Sequence, residues 1–195
     1  MLIEARGITK AFGAFKAVDN ASVAVEEGDI LGLIGPNGAG KSTFFNCLTG
    51  DLPPTSGTVH FAGVDVTNKP PEARARLGLG RLADAPAKSL GTPGRKRLEI
   101  ARALASEPKV LLLDEAMAGL TPTEIRDAIE LVRRIHGDGI TIVIVEHIME
   151  VIVSLTHRVV VFHQGREISR GTPREVTSDP RVIEAYLGRR KVRHD

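Results

Sequence analysis

The sequence predicts an α/β domain with a mainly parallel central sheet flanked by helices, and a small antiparallel β part near the N-terminus. Three observations lead to this fold class. Short apolar runs end at polar residues, helical patterns alternate with these runs, and one run leads into a glycine-rich loop that opens a helix. All-apolar strands are typical of parallel sheets, because other elements cover both faces of such a sheet.

The composition is that of an ordinary globular chain. Its 195 residues suit one domain with a substantial core, and 42% of them are apolar and 26% charged. The formal net charge of +2 is too small to indicate a nucleic-acid partner. The single cysteine, Cys47, excludes an internal disulfide framework and is interpreted as a packing residue.

We expect a soluble chain. Its N-terminus has charges where a signal peptide needs an apolar core. Its apolar runs are all shorter than the roughly 20 residues of a membrane span. Any link to a membrane is therefore expected to come through a partner.

Two strands are predicted ahead of the apolar run that leads into the glycine-rich loop. Residues 2–8 and 17–25 have strand patterns, with turns expected at 9–13 and 26–29. Phe12 lies in the first turn and is one of few aromatic residues. Its position alone favours packing in the core, with stacking on a nucleotide base as the alternative.

The loop at residues 35–42 reads G-x-x-x-x-G-K-S, the pattern of a phosphate-binding loop. An apolar strand precedes it and a helical pattern follows. The helix start directs its positive dipole end at the phosphates, Lys41 would contact the β- and γ-phosphates, and the Ser42 hydroxyl would bind Mg²⁺. The candidate nucleotide-binding residues of the loop are Gly35, Pro36, Asn37, Gly38, Ala39, Gly40, Lys41, Ser42 and Thr43.

The pattern weakens in the middle of the chain. Gly50 ends the first helix, short strands are predicted at 58–61 and 64–66, and a short helix at 70–76. Residues 77–92 are rich in glycine, alanine and proline and show weak periodicity. A clear helical pattern begins at Leu98, with an apolar face of Leu98, Ile100, Ala101, Leu104 and Ala105.

An all-apolar strand at 110–113 ends in Asp114 and Glu115. The carboxyl end of such a strand lies beside the phosphate-binding loop in an open α/β sheet. Asp114 would hold Mg²⁺, directly or through water, and Glu115 would act as general base on the attacking water. A polar turn is the alternative interpretation of these two acids.

The C-terminal part is predicted to alternate between helices and strands. A capping box at Thr121 and Glu124 starts a helix, and a buried strand at 140–145 ends in Glu146 and His147. Position alone leaves a contact between His147 and the γ-phosphate as the less favoured interpretation. A hairpin is expected at 158–169, followed by short helices beginning near Pro173 and Pro180 and a solvated basic tail at 189–194.

These motifs together resemble those of the ATP-binding subunits of ABC transporters. Residues 33–43 are similar to the family's Walker A motif, 111–115 to its Walker B motif with the catalytic glutamate, 118–121 to its D-loop and 143–147 to its switch-histidine segment. Residues 98–104 resemble the helix after its signature motif. The resemblance implies that Phe12 stacks on adenine and that the candidate catalytic residues are Glu115, His147 and Lys41, with Ser42 and Asp114 as metal ligands.

Three segments, at 44–50, 114–120 and 182–188, are similar to the cassettes of branched-chain amino-acid importers. The resemblance implies one ATP-binding domain over residues 1–195, with a C-terminal helix and tail at 181–195. It further implies hydrolysis of ATP with Mg²⁺ to drive import. The implied partners are a second ATP-binding subunit and transmembrane permease subunits, with no nucleic acid, at the cytoplasmic face of the membrane.

The chain departs from the family pattern in two places. Leu90-Gly91-Thr92-Pro93-Gly94 stands where the family has L-S-G-G-Q, and Pro93 removes a backbone donor. The region between Ser42 and Leu90 is also short by roughly fifty residues, the size of a small subdomain. The helical subdomain and glutamine loop are therefore expected to be largely missing around 81–92. The alternative function is an ATP-binding module that hydrolyses poorly and is uncoupled from transport.

Overall fold

The computed structural model of the chain describes residues 1–81 and 91–187. Its strands in these ranges are β1 (Ile3–Phe12), β2 (Phe15–Val25), β3 (Ile30–Ile34), β4 (Ser56–Phe61), β5 (Val64–Asp65), β6 (Leu79–Arg81), β7 (Val110–Asp114), β8 (Thr141–Val145), β9 (Arg158–His163) and β10 (Arg166–Gly171). Its helices are α1 (Lys41–Thr49), α2 (Pro71–Ala75), α3 (Thr92–Leu104), α4 (Pro122–Gly137), α5 (Met149–Leu155), α6 (Pro173–Ser178) and α7 (Pro180–Leu187). Our prediction of a missing helical subdomain and glutamine loop around 81–92 falls largely, at 82–90, outside the described residues, and the predicted basic tail at 189–194 lies wholly outside them.

The central sheet confirms the predicted fold class. Its strand order is β10-β9-β3-β8-β7-β6, and every neighbouring pair is parallel except β9 with β10. Val145 of β8 pairs with Leu33 on one side and with Asp114 on the other. The carboxyl ends of β3, β7 and β8 therefore lie side by side.

The N-terminal strands form a second, antiparallel sheet with the order β2-β1-β4-β5. The turn expected at 9–13 is wrong, because β1 continues to Phe12, which pairs with Phe15. Cross-strand hydrogen bonding extends both strands and leaves a loop of two residues between them. Local composition suggested a longer turn, but the pairing partner decides where the strand ends.

Two apolar cores lie on opposite faces of the central sheet. Alternate residues of β7 contribute to each, with Leu112 in the core shared with α1 and the antiparallel sheet, and Leu111 in the core beneath the other helices. Helix α1 contacts β1, β2 and β8, so it lies between the two sheets. Helices α3 to α7 cover the opposite face.

Helix α1 ends at Gly50, as predicted, and Arg74 adds a second cap that the sequence did not reveal. Gly50 adopts a left-handed conformation at its C-cap. The fully buried Arg74 donates hydrogen bonds to the carbonyl oxygens of Cys47 (2.9 Å) and Leu48 (2.6 Å), and also to two carbonyls in the 67–69 segment. A cation here is favourable, because the carbonyl end of a helix is the negative end of its dipole.

The predicted face of α3 is partly wrong. The helix begins at Thr92, six residues before the start of the clear pattern, and buries Glu99, Ile100 and Ala103. Three other members of the predicted face are exposed instead: Leu98, Ala101 and Ala105. An ion pair with Lys96 (3.7 Å) accompanies the buried carboxylate of Glu99. Apolar residues alone therefore did not identify the packed face.

Two short elements escaped prediction. Strand β6 falls in the segment of weak periodicity and is defined by its parallel pairing with β7. Helix α5 has no side-chain cap at its N-terminus, so the usual start signal is absent. Within residues 1–81 and 91–187, none of the helices combines the length and the apolar character that crossing a membrane requires.

Candidate active site

The glycine-rich loop connects β3 to α1, and two of its glycines are required by close backbone contacts. A Cβ atom on Gly35 would lie 2.2 Å from the carbonyl oxygen of Phe162. A Cβ atom on Gly40 would lie 2.3 Å from the carbonyl oxygen of Ala17. Gly40 also adopts a φ of +97°, which L residues with side chains rarely adopt.

Neighbouring strands hold this loop in place. The Gly165 N–H in the β9–β10 turn donates to the carbonyl oxygen of Ala39 at 2.9 Å. The Asp19 N–H of β2 donates in turn to the carbonyl oxygen of Gly165 at 2.8 Å. Within the loop, the Ala39 N–H donates to the carbonyl oxygen of Pro36 at 3.1 Å. Backbone hydrogen bonds therefore attach the loop to the central sheet directly and to the antiparallel sheet through Gly165.

Lys41 folds back over the loop that precedes it. Its Nζ donates to the carbonyl oxygens of Gly35 at 2.7 Å and Pro36 at 3.1 Å, and the residue is only 7% exposed. Burial lowers the pKa of Lys41, while the carboxylates of Glu115 and Asp114 act in the opposite direction. The ammonium group thus lies inside the loop, close enough to both acids to interact with them electrostatically.

Asp114 ends β7 with an unsatisfied carboxylate oxygen. Its Oδ1 is buried and has no hydrogen-bond partner. Burial, with a smaller effect of Glu115, raises the pKa of Asp114. A buried polar atom in a folded protein usually has a hydrogen-bond partner, so this oxygen remains available to bind a ligand.

These features fit a divalent cation bound with a polyphosphate. Mg²⁺ typically takes one or two carboxylates together with phosphate oxygens and water. The unpaired Oδ1 of Asp114 and the exposed Ser42 supply protein oxygens of this kind. The described part of the chain holds no group of three or more His, Cys, Asp or Glu side chains that could bind a metal ion by themselves.

Glu115 is exposed and its backbone is fixed in an uncommon conformation. Its φ is +45°, and its N–H donates to the carbonyl oxygen of Val145 at 2.9 Å. Positive φ values in residues other than glycine are concentrated at functional sites. The hydrogen bond to Val145 of β8 therefore helps to fix the backbone from which the Glu115 side chain projects.

Glu146 is a buried acid beside the candidate site, and its position in the sequence was not enough to single it out. It is fully buried at the end of β8, and its Oε1 accepts a hydrogen bond from the N–H of Met117 at 2.9 Å. Its Oε2 lies 3.3 Å from the N–H donor of His147. Burial raises the pKa of Glu146. The signal available in the sequence was an acid between an all-apolar strand and a histidine.

Phe12 is not a core residue, so the interpretation from position alone is wrong. Its side chain is 52% exposed at the end of β1. The Nζ of Lys10 lies 5.4 Å from the centroid of its ring. His147 is also exposed, two residues after the end of β8. Both side chains are free to meet a ligand, and their roles remain predictions.

The segment at the signature position forms the start of α3. Gly91 is the N-cap, and Pro93 lies in the first helical turn, where a missing N–H does not disturb the helix. A cavity of about 560 Å³ lies beside Asp114, lined also by Arg81, Lys96 and Glu99. Leu90 lies outside the described residues.

Comparisons with known proteins agree with this geometry. A family model described as ABC transporter matches residues 18–79 and 70–118, and one described as branched-chain amino acid ATP-binding cassette transporter matches 166–192. The high-affinity branched-chain amino acid transport ATP-binding protein BraF of Pseudomonas aeruginosa is 30% identical over 249 residues, covering 96% of this chain and 98% of that protein. LivG of Salmonella typhimurium, described in the same words, has the same identity and coverage.

Two solved structures share the fold closely. A nucleotide-free ATP-binding cassette from an ABC transporter has a TM-score of 0.92 and 28% identity, covering 96% of this chain and 99% of that one. The ADP conformation of the cassette MJ1267 has a TM-score of 0.91, with the same identity and coverage. The alignment with BraF extends over 249 residues although this chain has 195, so BraF contains segments with no counterpart here.

Proposed function

Because the chain belongs to the ABC transporter family of ATP-binding proteins, we propose that it binds and hydrolyses MgATP to power the import of branched-chain amino acids. The observation that carries this proposal is the pairing of a phosphate loop held by backbone hydrogen bonds with the unpaired oxygen of Asp114. One feature is suited to a polyphosphate and the other to its cation. Their joint occurrence supports a nucleoside triphosphate as ligand.

In this proposal, residues 35–43 bind the phosphates through backbone N–H groups and through Lys41. The Lys41 ammonium lies within the loop, where it donates hydrogen bonds to two neutral carbonyls. A phosphate oxygen is a stronger acceptor than a carbonyl, because charge-assisted hydrogen bonds are roughly twice as strong as neutral ones. Ser42 and Asp114 would hold Mg²⁺, which would neutralise phosphate charge when bound.

Glu115 is the proposed general base. Its exposed carboxylate can accept a proton from a water molecule, and its backbone is held by Val145 at the end of the neighbouring strand. His147, at the end of that same strand, is proposed to contact the γ-phosphate. Phe12 is proposed to stack on the adenine ring. Glu146 accepts hydrogen bonds from the N–H groups of Met117 and His147. These bonds support the proposal that the segment after Glu115 and the segment with His147 respond together to the nucleotide.

We propose that two such subunits act together with transmembrane permease subunits. The names of BraF and LivG support branched-chain amino acids as the transported solutes. The solute itself would pass through the permease. Reconstitution with the permease subunits of such an importer, followed by uptake of labelled leucine, tests this part. Uptake without ATP dependence, or none with an active cassette, would contradict it.

The catalytic assignment is tested by MgATP turnover. Replacement of Glu115 by Gln keeps the size of the side chain and removes its basicity, so turnover should fall by a factor of 10² or more while ATP still binds. Replacement of Lys41 by Ala should weaken ATP binding itself. Unchanged turnover in the Glu115→Gln protein would show that Glu115 is not the base.

The alternative is a cassette that binds ATP but hydrolyses it poorly and does not drive transport. Pro93 in the first turn of α3 favours it, because that residue cannot donate a backbone hydrogen bond. The shortened middle of the chain favours it as well. ATP binding without measurable turnover in the unmodified protein is the result that this alternative predicts.

A further inference from the structure

Two phenylalanines at the tip of the β1–β2 hairpin have no role in the core. The chain contains six phenylalanines, and the other four are fully buried. Phe12 is 52% exposed and Phe15 is 66% exposed. A single exposed apolar residue is ordinary, but two large aromatic side chains exposed on one hairpin form an apolar patch that calls for an explanation.

The hairpin brings these two rings to one face of the sheet. Phe12 and Phe15 are direct partners in the antiparallel register, on either side of a two-residue loop. Direct partners point to the same face, with their Cβ atoms roughly 5 Å apart. Lys10, two residues before Phe12, has its ammonium over the Phe12 ring and donates to the Pro53 carbonyl at 2.7 Å. A cation anchored in this way restricts the Phe12 ring.

The hairpin tip is attached to the phosphate-binding loop. The register shifts between Lys10 and Ala11, opposite Val18 and Lys16, which leaves Ala17 without a partner across the ladder. The carbonyl oxygen of Ala17 approaches Gly40 so closely that a Cβ there would lie 2.3 Å away. Phe15 lies two residues before this contact. An exposed pair of rings therefore lies next to the loop proposed to hold the phosphates.

We propose that Phe15 is a second aromatic contact for the nucleotide base, so that the base meets two phenylalanine rings rather than one. This inference rests on the proposed ATP-binding function. A purine offers apolar faces and edges that gain from leaving water against an aromatic ring, and such contacts do not require base-specific hydrogen bonds. Phe15 is therefore a binding residue for the base and not for the phosphates.

The experiment compares two ligands that differ in the base. Isothermal titration of the full chain with ATP and with inorganic tripolyphosphate, both with Mg²⁺, separates base contacts from phosphate contacts. Replacement of Phe15 by Ala should weaken ATP binding by roughly tenfold, the range of a lost base–aromatic contact, and leave tripolyphosphate binding unchanged. Replacement of Phe15 by Tyr should preserve both affinities.

Val64→Ala is the matched control. Val64 is an apolar residue, 45% exposed, on β5 of the same antiparallel sheet. The variant should bind both ligands like the unmodified protein, so a general loss of affinity from trimming this sheet would be visible. Phe12→Ala provides the comparison for the ring already assigned to the base.

Three results would overturn the inference. If Phe12→Ala weakens ATP binding and Phe15→Ala does not, Phe15 makes no base contact and the proposed function stands. If Phe15→Ala weakens both ligands equally, Phe15 supports the loop instead of touching the base. If the unmodified chain binds neither ligand, the proposed function fails and the inference fails with it.

Discussion

At the scale of single residues, Asp114 lies where it could bind a cation, but its own negative charge is poorly solvated there. Its buried Oδ1 has no partner, and burial together with Glu115 raises its pKa. Ionised Asp114 therefore destabilises the protein until a cation compensates it. The same features that support a Mg²⁺ ligand thus predict a measurable effect on stability.

Replacement of Asp114 by Asn should raise the thermal midpoint of the nucleotide-free protein, because it removes a poorly solvated negative charge. The same change should abolish the Mg²⁺ dependence of ATP binding. Thermal unfolding with and without MgATP tests both effects. Without ligand, the variant should have a higher thermal midpoint than the unmodified protein. Its midpoint should rise less when MgATP is added. A lower midpoint without ligand would show that Lys41 and other cations already stabilise the charge.

Glu146 predicts a pH effect of definite sign. Its pKa is raised above the ordinary value of 4.5 by burial, so the folded state holds this proton more tightly than the unfolded state. Stability from this group is therefore fully present below pH 4.5 and is lost as the pH rises through the raised value. The hydrogen bonds from Met117 and His147 partly oppose this loss.

The stability of the variant Glu146→Gln should not depend on this protonation, because glutamine does not titrate. We expect the urea midpoint of Glu146→Gln to rise relative to that of the unmodified protein as the pH increases from about 4.5 to about 7.5. Taking the difference between the two proteins cancels the other titrating groups. A difference that stays constant across this range would mean that the Glu146 carboxylate is already compensated.

At the scale of elements, α1 depends on a side chain from outside it. Arg74 of α2 donates to the last-turn carbonyls at Cys47 and Leu48, and Gly50 closes the same end. The other end of α1 carries the phosphate-binding loop. The arginine therefore stabilises the helix whose start is proposed to face the phosphates.

Replacement of Arg74 by Met should cost about 2–4 kcal/mol of unfolding free energy, because several buried carbonyls would lose their donor. Arg76→Met is the control: Arg76 is exposed two residues later, and its replacement should change stability by less than about 0.5 kcal/mol. Denaturant unfolding of the two variants tests this. Equal effects would show that water replaces the Arg74 hydrogen bonds.

At the scale of the whole molecule, one sheet joins the two cores. Strand β7 directs Leu112 into the core with α1 and Leu111 into the core beneath the other helices, and both are completely buried. Because neighbouring residues of one strand fill both cores, we expect neither core to unfold alone.

Leu111→Ala and Leu112→Ala should each cost about 2–5 kcal/mol, the usual range for a buried leucine. Both variants should still unfold in one transition. Near-ultraviolet circular dichroism would follow tertiary packing around the aromatic residues and far-ultraviolet circular dichroism the secondary structure. Transitions that separate in either variant would show that the two cores are independent units.

The motifs of the candidate site could be predicted because each of them is local. The spacing of Gly35, Gly40 and Lys41 identifies a phosphate loop, and the order of strand, Asp114 and Glu115 identifies an acidic strand end. The capping box at Thr121 is likewise a local signal, and the structure contains it. Each of these depends on residues within a few positions of one another.

The remaining features depend on partners distant in the chain. Four features arise from contacts between elements: the cap that Arg74 gives to α1, the hydrogen bond that Glu146 accepts from Met117, the pairing of β6 with β7, and the pairing of Phe12 with Phe15. The sequence by itself determined the fold class and the phosphate-loop motif, because periodicity and motif spacing are properties of short segments. Only the tertiary structure decided which polar side chains are buried and which aromatic rings stay exposed, because burial is a property of the packed whole.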